Sequence, residues 1–475
     1  MPKSKELTKI KTSLLGRSLS LAKLTVQTGS QMLGHKIKEH LTTQKEKSTH
    51  SWEQILTDNA ALVANEFGKL KGSILKAGQL LSMYGEYFLP PKANEFLKSL
   101  QSQSPPLAFA EIFKVLKREL PNQTWEEWIV DPNPIGTASL AQVHRAQNRF
   151  TKKWIAFKVQ YPGVKEAIAA DLSALKHLMK LSQLLPKSPA IDSIFEEIKT
   201  MMYQELDYER EIEELEKYQK RLQGDERFLI PCVLPELCSP HVIATEYLPG
   251  LRADSPEVQN LSEERRSQIG FSFLDLYFKE LFEWGVVQTD PHLGNYAIRL
   301  KSPHHKQSHQ DQIILYDFGA VRQYPQDFLS PYYQMIWASL HNDSPALRKA
   351  ATQLKFIDPH DPEELVHLFE SFCLQTVEPF LDPKDPRVKE DPAMLPSGSY
   401  QWAHSTLPQR LTHIGWNMIR RFEFRAPPPE ILFLDRKTGG VFIFLKVLRS
   451  CFRGRELLYD HLQKALHTLR ARDTQ

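Results

Sequence analysis

The sequence predicts an α+β protein of two lobes. Three observations carry this expectation. Short β-prone runs gather between about residues 125 and 160, with one more at 242–247. Helical patterning dominates before and after them. The chain has 475 residues and 41% hydrophobic content, enough for at least one large core, with two lobes and an extension expected.

The elements follow in order. Residues 1–50 form a basic arm with Lys3, Lys5, Lys9, Lys11, Arg17 and Lys23 interleaved with Leu14, Leu15, Leu19 and Leu24. Such a pattern suits a solvated helix or attachment to a membrane surface. Residues 51–124 read as a helical extension, with Trp52, Ile55, Leu62, Phe67, Leu70 and Ile74 near helical spacing and Pro90-Pro91 and Pro105-Pro106 as punctuation. Residues 125–250 form a first lobe with inserted helices. Its strands are Trp128–Val130, Ala141–Ala146, Trp154–Val159 and Val242–Tyr247, and a helical stretch runs from about 163 to 223 with a break at Leu185–Pro189. Residues 251–475 form a second, helical lobe with two strand-like pieces beside acidic motifs.

Composition excludes several classes. A net charge of +3 is too small for a nucleic-acid binder. No apolar run reaches the roughly 18–20 residues that a spanning helix needs. Lys and Ser interrupt the apolar stretches near the start, so no secretory signal peptide is expected. Cys232, Cys238, Cys373 and Cys451 show no paired spacing, which suits a reducing cytoplasmic or organelle-interior compartment. His304, His305 and His309 fall in a polar stretch that reads as a solvated hairpin tip.

The chemistry-bearing residues lie in Val286–Asn295 and Leu315–Gly319. Asp290 is followed five residues later by Asn295, and an apolar run then ends in Asp317-Phe318-Gly319. Phosphoryl transfer needs divalent metal against the phosphates and one carboxylate near the attacking oxygen, and this ordered set supplies both. Upstream, Gly136-Thr137-Ala138-Ser139-Leu140-Ala141 precedes a strand, as a phosphate-covering loop would, but only its first position is glycine. Lys158 interrupts an apolar strand and faces either solvent or a partner. The acid-rich stretch Gln204–Glu211 offers that partner: on one helix Glu205 and Glu211 would diverge by about 120°, sending Glu211 to Lys158 and Glu205 elsewhere. Lys76-Ala77-Gly78-Gln79 interrupts an apolar helix, where glycine costs about 1 kcal/mol relative to alanine.

Taken in order, these pieces resemble the UbiB/AarF family of atypical protein-kinase-like proteins, associated with ubiquinone biosynthesis. The resemblance rests on Lys76 to Gln79 (the family's K-x-G-Q), Gly136 to Ala141, Lys158, Glu205-Leu206-Asp207 (its E-x-D), Glu211, Asp290 to Asn295 and Asp317 to Gly319. It implies a two-lobed protein-kinase-like fold with an N-terminal helical extension packed over the active site. It implies ATP and Mg2+ as cofactors, with Gly136, Thr137, Ala138, Ser139 and Lys158 on the nucleotide and Glu246 and Tyr247 at its adenine side. Asp290, Lys158 and Glu211 would be catalytic, and Asn295 and Asp317 would bind magnesium. Lys76, Gln79, Glu205 and Asp207 would be regulatory, with Lys76 paired to the E-x-D acids so that ordinary protein phosphorylation is suppressed. The implied role is a Mg-dependent ATPase or kinase supporting quinone biosynthesis at a membrane surface, with ATP/ADP, quinone-precursor lipids and biosynthetic proteins as partners.

The chain departs from the family at Gln288, where histidine is usual, at Leu293, where proline is usual, and at Gly136-Thr137, where alanines are common. Two other readings stand beside the first: a phosphotransferase on a protein or small molecule, and a catalytically silent scaffold binding lipid or partner. The joint presence of Lys158, Glu211, Asp290, Asn295 and Asp317 argues against the silent scaffold.

Overall fold

The structure is a computed structural model describing residues 72–88, 97, 106–181, 185, 190–301, 309–388, 391–421 and 429–473. The basic arm, the start of the helical extension and most of the histidine-bearing loop lie outside the described residues. The chain divides into two compact units, Met1–Ile212 with Cys232–Tyr247, and Glu213–Pro231 with Leu248–Gln475.

The first unit is built on an antiparallel sheet. Its strands are β1 (Trp128–Val130), β2 (Gly136–Thr137), β3 (Ala141–Asn148), β4 (Trp154–Gln160) and, after β5 (Phe228–Leu229) of the second unit, β6 (Val242–Glu246). The order is β1-β3-β4-β6, with β2 also on β3. Side chains alternate along β4: Ile155, Phe157 and Val159 are buried, whereas Ala156 and Lys158 lie on the other face. Phe157 sits under Trp125 and Trp128 at ring distances of 6.1 and 6.2 Å, which fixes the register of the lysine-bearing strand.

The helices of this unit are α1 (Ser73–Phe88), α2 (Phe109–Glu119), α3 (Val164–Leu181), α4 (Ala190–Glu205) and α5 (Tyr208–Arg221), which runs on into the second unit. The apolar stripe of α1, with Ile74, Ala77 and Leu81, is buried, and α1 packs on α3 and α4. The helical stretch predicted to continue from about residue 190 to 223 is interrupted at Leu206-Asp207. Asp207 is the cause, because its carboxylate accepts from the Arg210 N–H at 3.1 Å and starts a new helix. Glu205 therefore ends α4 while Glu211 sits in the first turn of α5, so two helices, rather than two faces of one, separate these acids.

The second unit holds two small sheets near the acidic motifs. β7 (Val286–Gln288) pairs antiparallel with β10 (Val321–Gln323). β8 (Tyr296–Arg299) pairs antiparallel with β9 (Gln312–Leu315), and β5 lies parallel on the far side of β9. A third pair, β11 (Tyr400–Gln401) with β12 (Cys451–Phe452), was not legible as strand because each member has only two residues.

The helices here are α6 (Glu263–Phe278), α7 (Gln326–His341), α8 (Ser344–Gln353), α9 (Glu363–Thr376), α10 (Leu407–Arg421), α11 (Pro429–Leu448) and α12 (Arg455–Asp473). Ser262 caps α6 by accepting from the Arg265 N–H. At its other end α6 widens into a π-helical turn, Lys279–Trp284, closed by Gly285 with φ of 61°. That positive φ suits glycine and turns the chain directly into β7. α6 and α11 meet through stacked Phe273 and Phe444, whose ring centroids are 4.0 Å apart. No helix among the described residues is long and apolar enough to cross a membrane.

Candidate active site

In the first unit, β4 delivers Lys158 to the partner expected for it. Its ammonium donates to both carboxylate oxygens of Glu211, at 2.6 and 2.9 Å. Glu211 is buried and the lysine side chain is about one-fifth exposed, so the pair is desolvated on one side and open on the other. The Tyr208 ring lies 5.5 Å from the ammonium and adds a cation–π contact.

A second lysine pair lies in the same unit. Lys76, buried on α1, forms an ion pair with Glu205 at the end of α4. Gln79, one turn further along α1, is half-buried. Asp207 is exposed and acts as the cap of α5 described above, so the structure assigns the two acids of the E-x-D stretch different partners.

Gly136 and Thr137 form β2, opposite Val143 and Gln142, and the Ala138 N–H closes the turn on the Ala141 carbonyl at 2.9 Å. Thr137 and Ala138 are exposed, and Ser139 is half-buried. Glu246 ends β6 opposite Ile155, and the Tyr247 N–H donates to the Trp154 carbonyl at 3.2 Å.

In the second unit one frame holds Asp290, Asn295 and Asp317. β7 and β10 bring the two acidic segments side by side. Thr289 then locks them, its N–H and hydroxyl both donating to the Ala320 carbonyl at 3.0 and 2.8 Å. The Tyr316 N–H donates to the Asn295 carbonyl at 3.0 Å, tying the start of β8 to the end of β9. Asn295 sends its amide nitrogen to the Asp290 carbonyl and to Asp290 Oδ2, both at 3.1 Å. That orientation leaves the Asn295 amide oxygen, a hard donor, pointing away from Asp290. Asp317 Oδ1 accepts from the Gly319 N–H at 3.0 Å, which fixes the carboxylate in its turn.

An amide oxygen and a carboxylate are the donor set Mg2+ favours, since that ion takes one or two protein oxygens and fills its remaining positions with water and phosphate. Among the described residues no three His, Cys, Asp or Glu side chains gather into a self-sufficient metal cage.

The frame has members that sequence reasoning missed. Arg436 of α11 donates to Asp290 Oδ1 at 2.8 Å, so both oxygens of Asp290 are held. The neighbouring Lys437 is buried and lies 3.1 Å from Glu280 Oε2. Gly440 completes the contact, because a Cβ there would fall 2.1 Å from Pro291 Cβ. The signal was present: Asp435-Arg436-Lys437-Thr438 interrupts the apolar runs Ile431–Leu434 and Val441–Leu445, and charge inside such a helix is costly unless paired.

Gln288 accepts from the Tyr296 hydroxyl at 3.0 Å and donates to the Asp317 carbonyl at 3.4 Å. Burial, reinforced by Glu280, pushes the Tyr296 hydroxyl far above its ordinary range and keeps it a donor.

A lysine clasped by a helix glutamate on one sheet, and an Asp–Asn–Asp frame on paired strands, are the pieces of the kinase-like class. The match of the ABC1 atypical kinase-like domain to residues 99–351 places the chain within that class: it belongs to the ABC1 family of atypical kinase-like proteins, the UbiB/AarF group. It is 27% identical to the probable serine/threonine-protein kinase abkA of Dictyostelium discoideum, over 97% of this chain and 80% of that protein. It is 30% identical to the mitochondrial atypical kinase COQ8B of Danio rerio, over 85% of this chain and only 60% of the relative's length. Among solved structures, Rv3197 of Mycobacterium tuberculosis, determined in complex with erythromycin, matches 86% of this chain and 98% of its own with a TM-score of 0.54. At 22% identity that likeness speaks to the fold alone, the two-lobed kinase-like fold.

Proposed function

We propose that this protein binds ATP with Mg2+ and cleaves it, as an atypical kinase-like ATPase that supports isoprenoid quinone (ubiquinone) biosynthesis at a membrane surface. The observation that carries the reading is the presence of two sets of residues, one in each unit: Lys158 clasped by Glu211, and Asp290, Asn295 and Asp317 in one frame. In this reading Lys158 contacts the nucleotide phosphates, and Glu211 keeps its ammonium aimed. Gly136 to Ser139 supply the covering turn, and Glu246 and Tyr247 the adenine side. Asn295 and Asp317 hold the metal, whose contribution when bound is to neutralise charge on the phosphates. Asp290, restrained by Asn295 and Arg436, orients the attacking oxygen.

The Lys76–Glu205 pair supports turnover without routine protein phosphorylation, as the family resemblance implies. The quinone-pathway role rests on family membership, and the membrane role also draws on the basic, leucine-bearing arm of residues 1–50.

The test is ATP turnover by the full chain, with Mg2+ or a chelator, and with or without liposomes and quinone-like phenols. Turnover that needs Mg2+ and rises with liposomes and phenols is expected. Phosphate transfer to an added protein or small molecule at the rate of ATP loss would favour the phosphotransferase instead. Nucleotide binding without turnover would favour the silent scaffold.

A further inference from the structure

Lys437 and Glu280 form an ion pair in which each side chain is only 2% exposed. Such a pair is an expensive way to fill a core, because the charges lose their hydration and an apolar pair of similar volume is often at least as stable. Its contacts point to another role. Glu280 lies in the π-helical turn just before β7, and its Oε1 accepts from the Tyr218 hydroxyl at 2.9 Å and from the Gln288 N–H at 3.4 Å. The Lys437 ammonium lies 3.4 Å from the Tyr296 hydroxyl. The rings of Phe273 and Tyr296 stand 5.8 and 5.7 Å from it.

From there two short paths reach the acidic residues. The Tyr296 hydroxyl lies 3.5 Å from the Asp290 carbonyl and donates to Gln288 Oε1. Gln288 in turn donates to the Asp317 carbonyl. One buried pair thus touches, through two side chains, the main chain of both Asp290 and Asp317.

We infer that Lys437 and Glu280 are positioning residues, which set the spacing of Asp290 and Asp317 through Tyr296 and Gln288. The inference rests on the ATP-cleaving reading above for its kinetic consequence, and on geometry alone for its structural one. A pair that only filled space could be replaced by any well-packed apolar pair. A positioning pair could not, because the hydrogen bonds to Tyr296 and Gln288 would go with the charges.

The experiment compares the full-length wild type with Glu280→Leu/Lys437→Met, which removes both charges together, and with Tyr296→Phe, which removes one hydroxyl. The quantities measured are the thermal midpoint, kcat and KM for MgATP, and deuterium uptake of peptides spanning residues 286–296 without nucleotide. The double variant is expected to keep a cooperative transition, lose about tenfold or more in kcat with KM within about threefold, and exchange faster across 286–296. Tyr296→Phe is expected to shift kcat and uptake the same way by a smaller factor, and it decides the question if the double variant does not fold. Wild-type kcat and uptake in a folded variant would overturn the inference. If the wild type itself turns over no MgATP, the ATPase reading fails, and the uptake comparison alone then decides whether the pair positions this segment.

Discussion

The protein holds a lysine–glutamate pair in each of its two units, and the two differ in how they meet water. Lys158–Glu211 in the first unit leaves its lysine about one-fifth exposed, on the open face of a strand. Lys437–Glu280 in the second is sealed on all sides. An ammonium that keeps some solvent can exchange water for phosphate at small cost, so the first pair suits contact with a ligand. An ammonium buried among Phe273, Tyr296 and Glu280 has no route to a ligand. Whatever it does must pass through the protein groups it touches.

The largest expected effect separates the two pairs by their symptoms. Lys158→Met should lower MgATP turnover by about 10²–10³-fold, the usual loss when one preorganised donor is removed. Glu211 is buried too, but water can reach it through the lysine's open side, so the stability loss should stay near the roughly 1.5–3 kcal/mol of a charged hydrogen bond. Lys437→Met strands a buried carboxylate and should cost about 3–5 kcal/mol. Chemical denaturation and initial-rate kinetics on both variants check this. If Lys437→Met were no less stable than Lys158→Met, the contrast in burial would carry no energetic meaning.

The two pairs also differed in how far the sequence revealed them. Lys158 stands out as the one charge in the otherwise apolar run Ile155-Ala156-Phe157-Lys158-Val159, on the face opposite its buried residues, and its partner lies in the nearest acid-rich stretch. Lys437 breaks a helical pattern just as visibly. Its partner Glu280, however, is 157 residues earlier in the chain and looks like any surface glutamate. Nothing local encodes that pairing, because long-range packing of α11 on the turn after α6 creates it. The strands longer than two residues in the first unit were legible for the same local reason. The break at Leu206-Asp207 was not, since a lone Asp in an acidic helix reads as surface until its carboxylate is seen capping α5. The Asp290–Asn295–Asp317 set was legible because spacing alone carries it, whereas Arg436, brought from α11, was not.

A third pair, Lys76–Glu205, sharpens the comparison with a smaller effect. Its lysine is buried like Lys437, yet it belongs to the unit of Lys158. If it restrains phosphoryl transfer to protein, Lys76→Ala should raise autophosphorylation measured with radiolabelled ATP. A signal equal to that of the wild type would reduce this pair to packing.

The smallest expected effect is a difference of slopes between two buried carboxyls of the second unit. Burial raises Asp275, but its hydrogen bonds to His461 and Arg227, with the charges of Arg227 and Lys279, outweigh that and hold it below its ordinary 3.8. Glu280 is raised above its ordinary 4.5, because burial outweighs what Lys437, Tyr218 and the Gln288 N–H return. The signs follow from linkage. Asp275 contributes stability that is present above pH 3.8 and lost as pH falls toward its folded value. The contribution of Glu280 is present below pH 4.5 and lost as pH rises through its folded value. Asp275→Asn should therefore cost more stability at neutral pH than in acid, and Glu280→Gln should cost more in acid than at neutral pH. Denaturation midpoints of both variants against wild type from about pH 3 to 8 measure the two slopes. Slopes of the same sign would mean that Lys437 compensates Glu280 as fully as the cations around Asp275 do, and the sealed pair would then be as well solvated by its protein neighbours as an open one is by water.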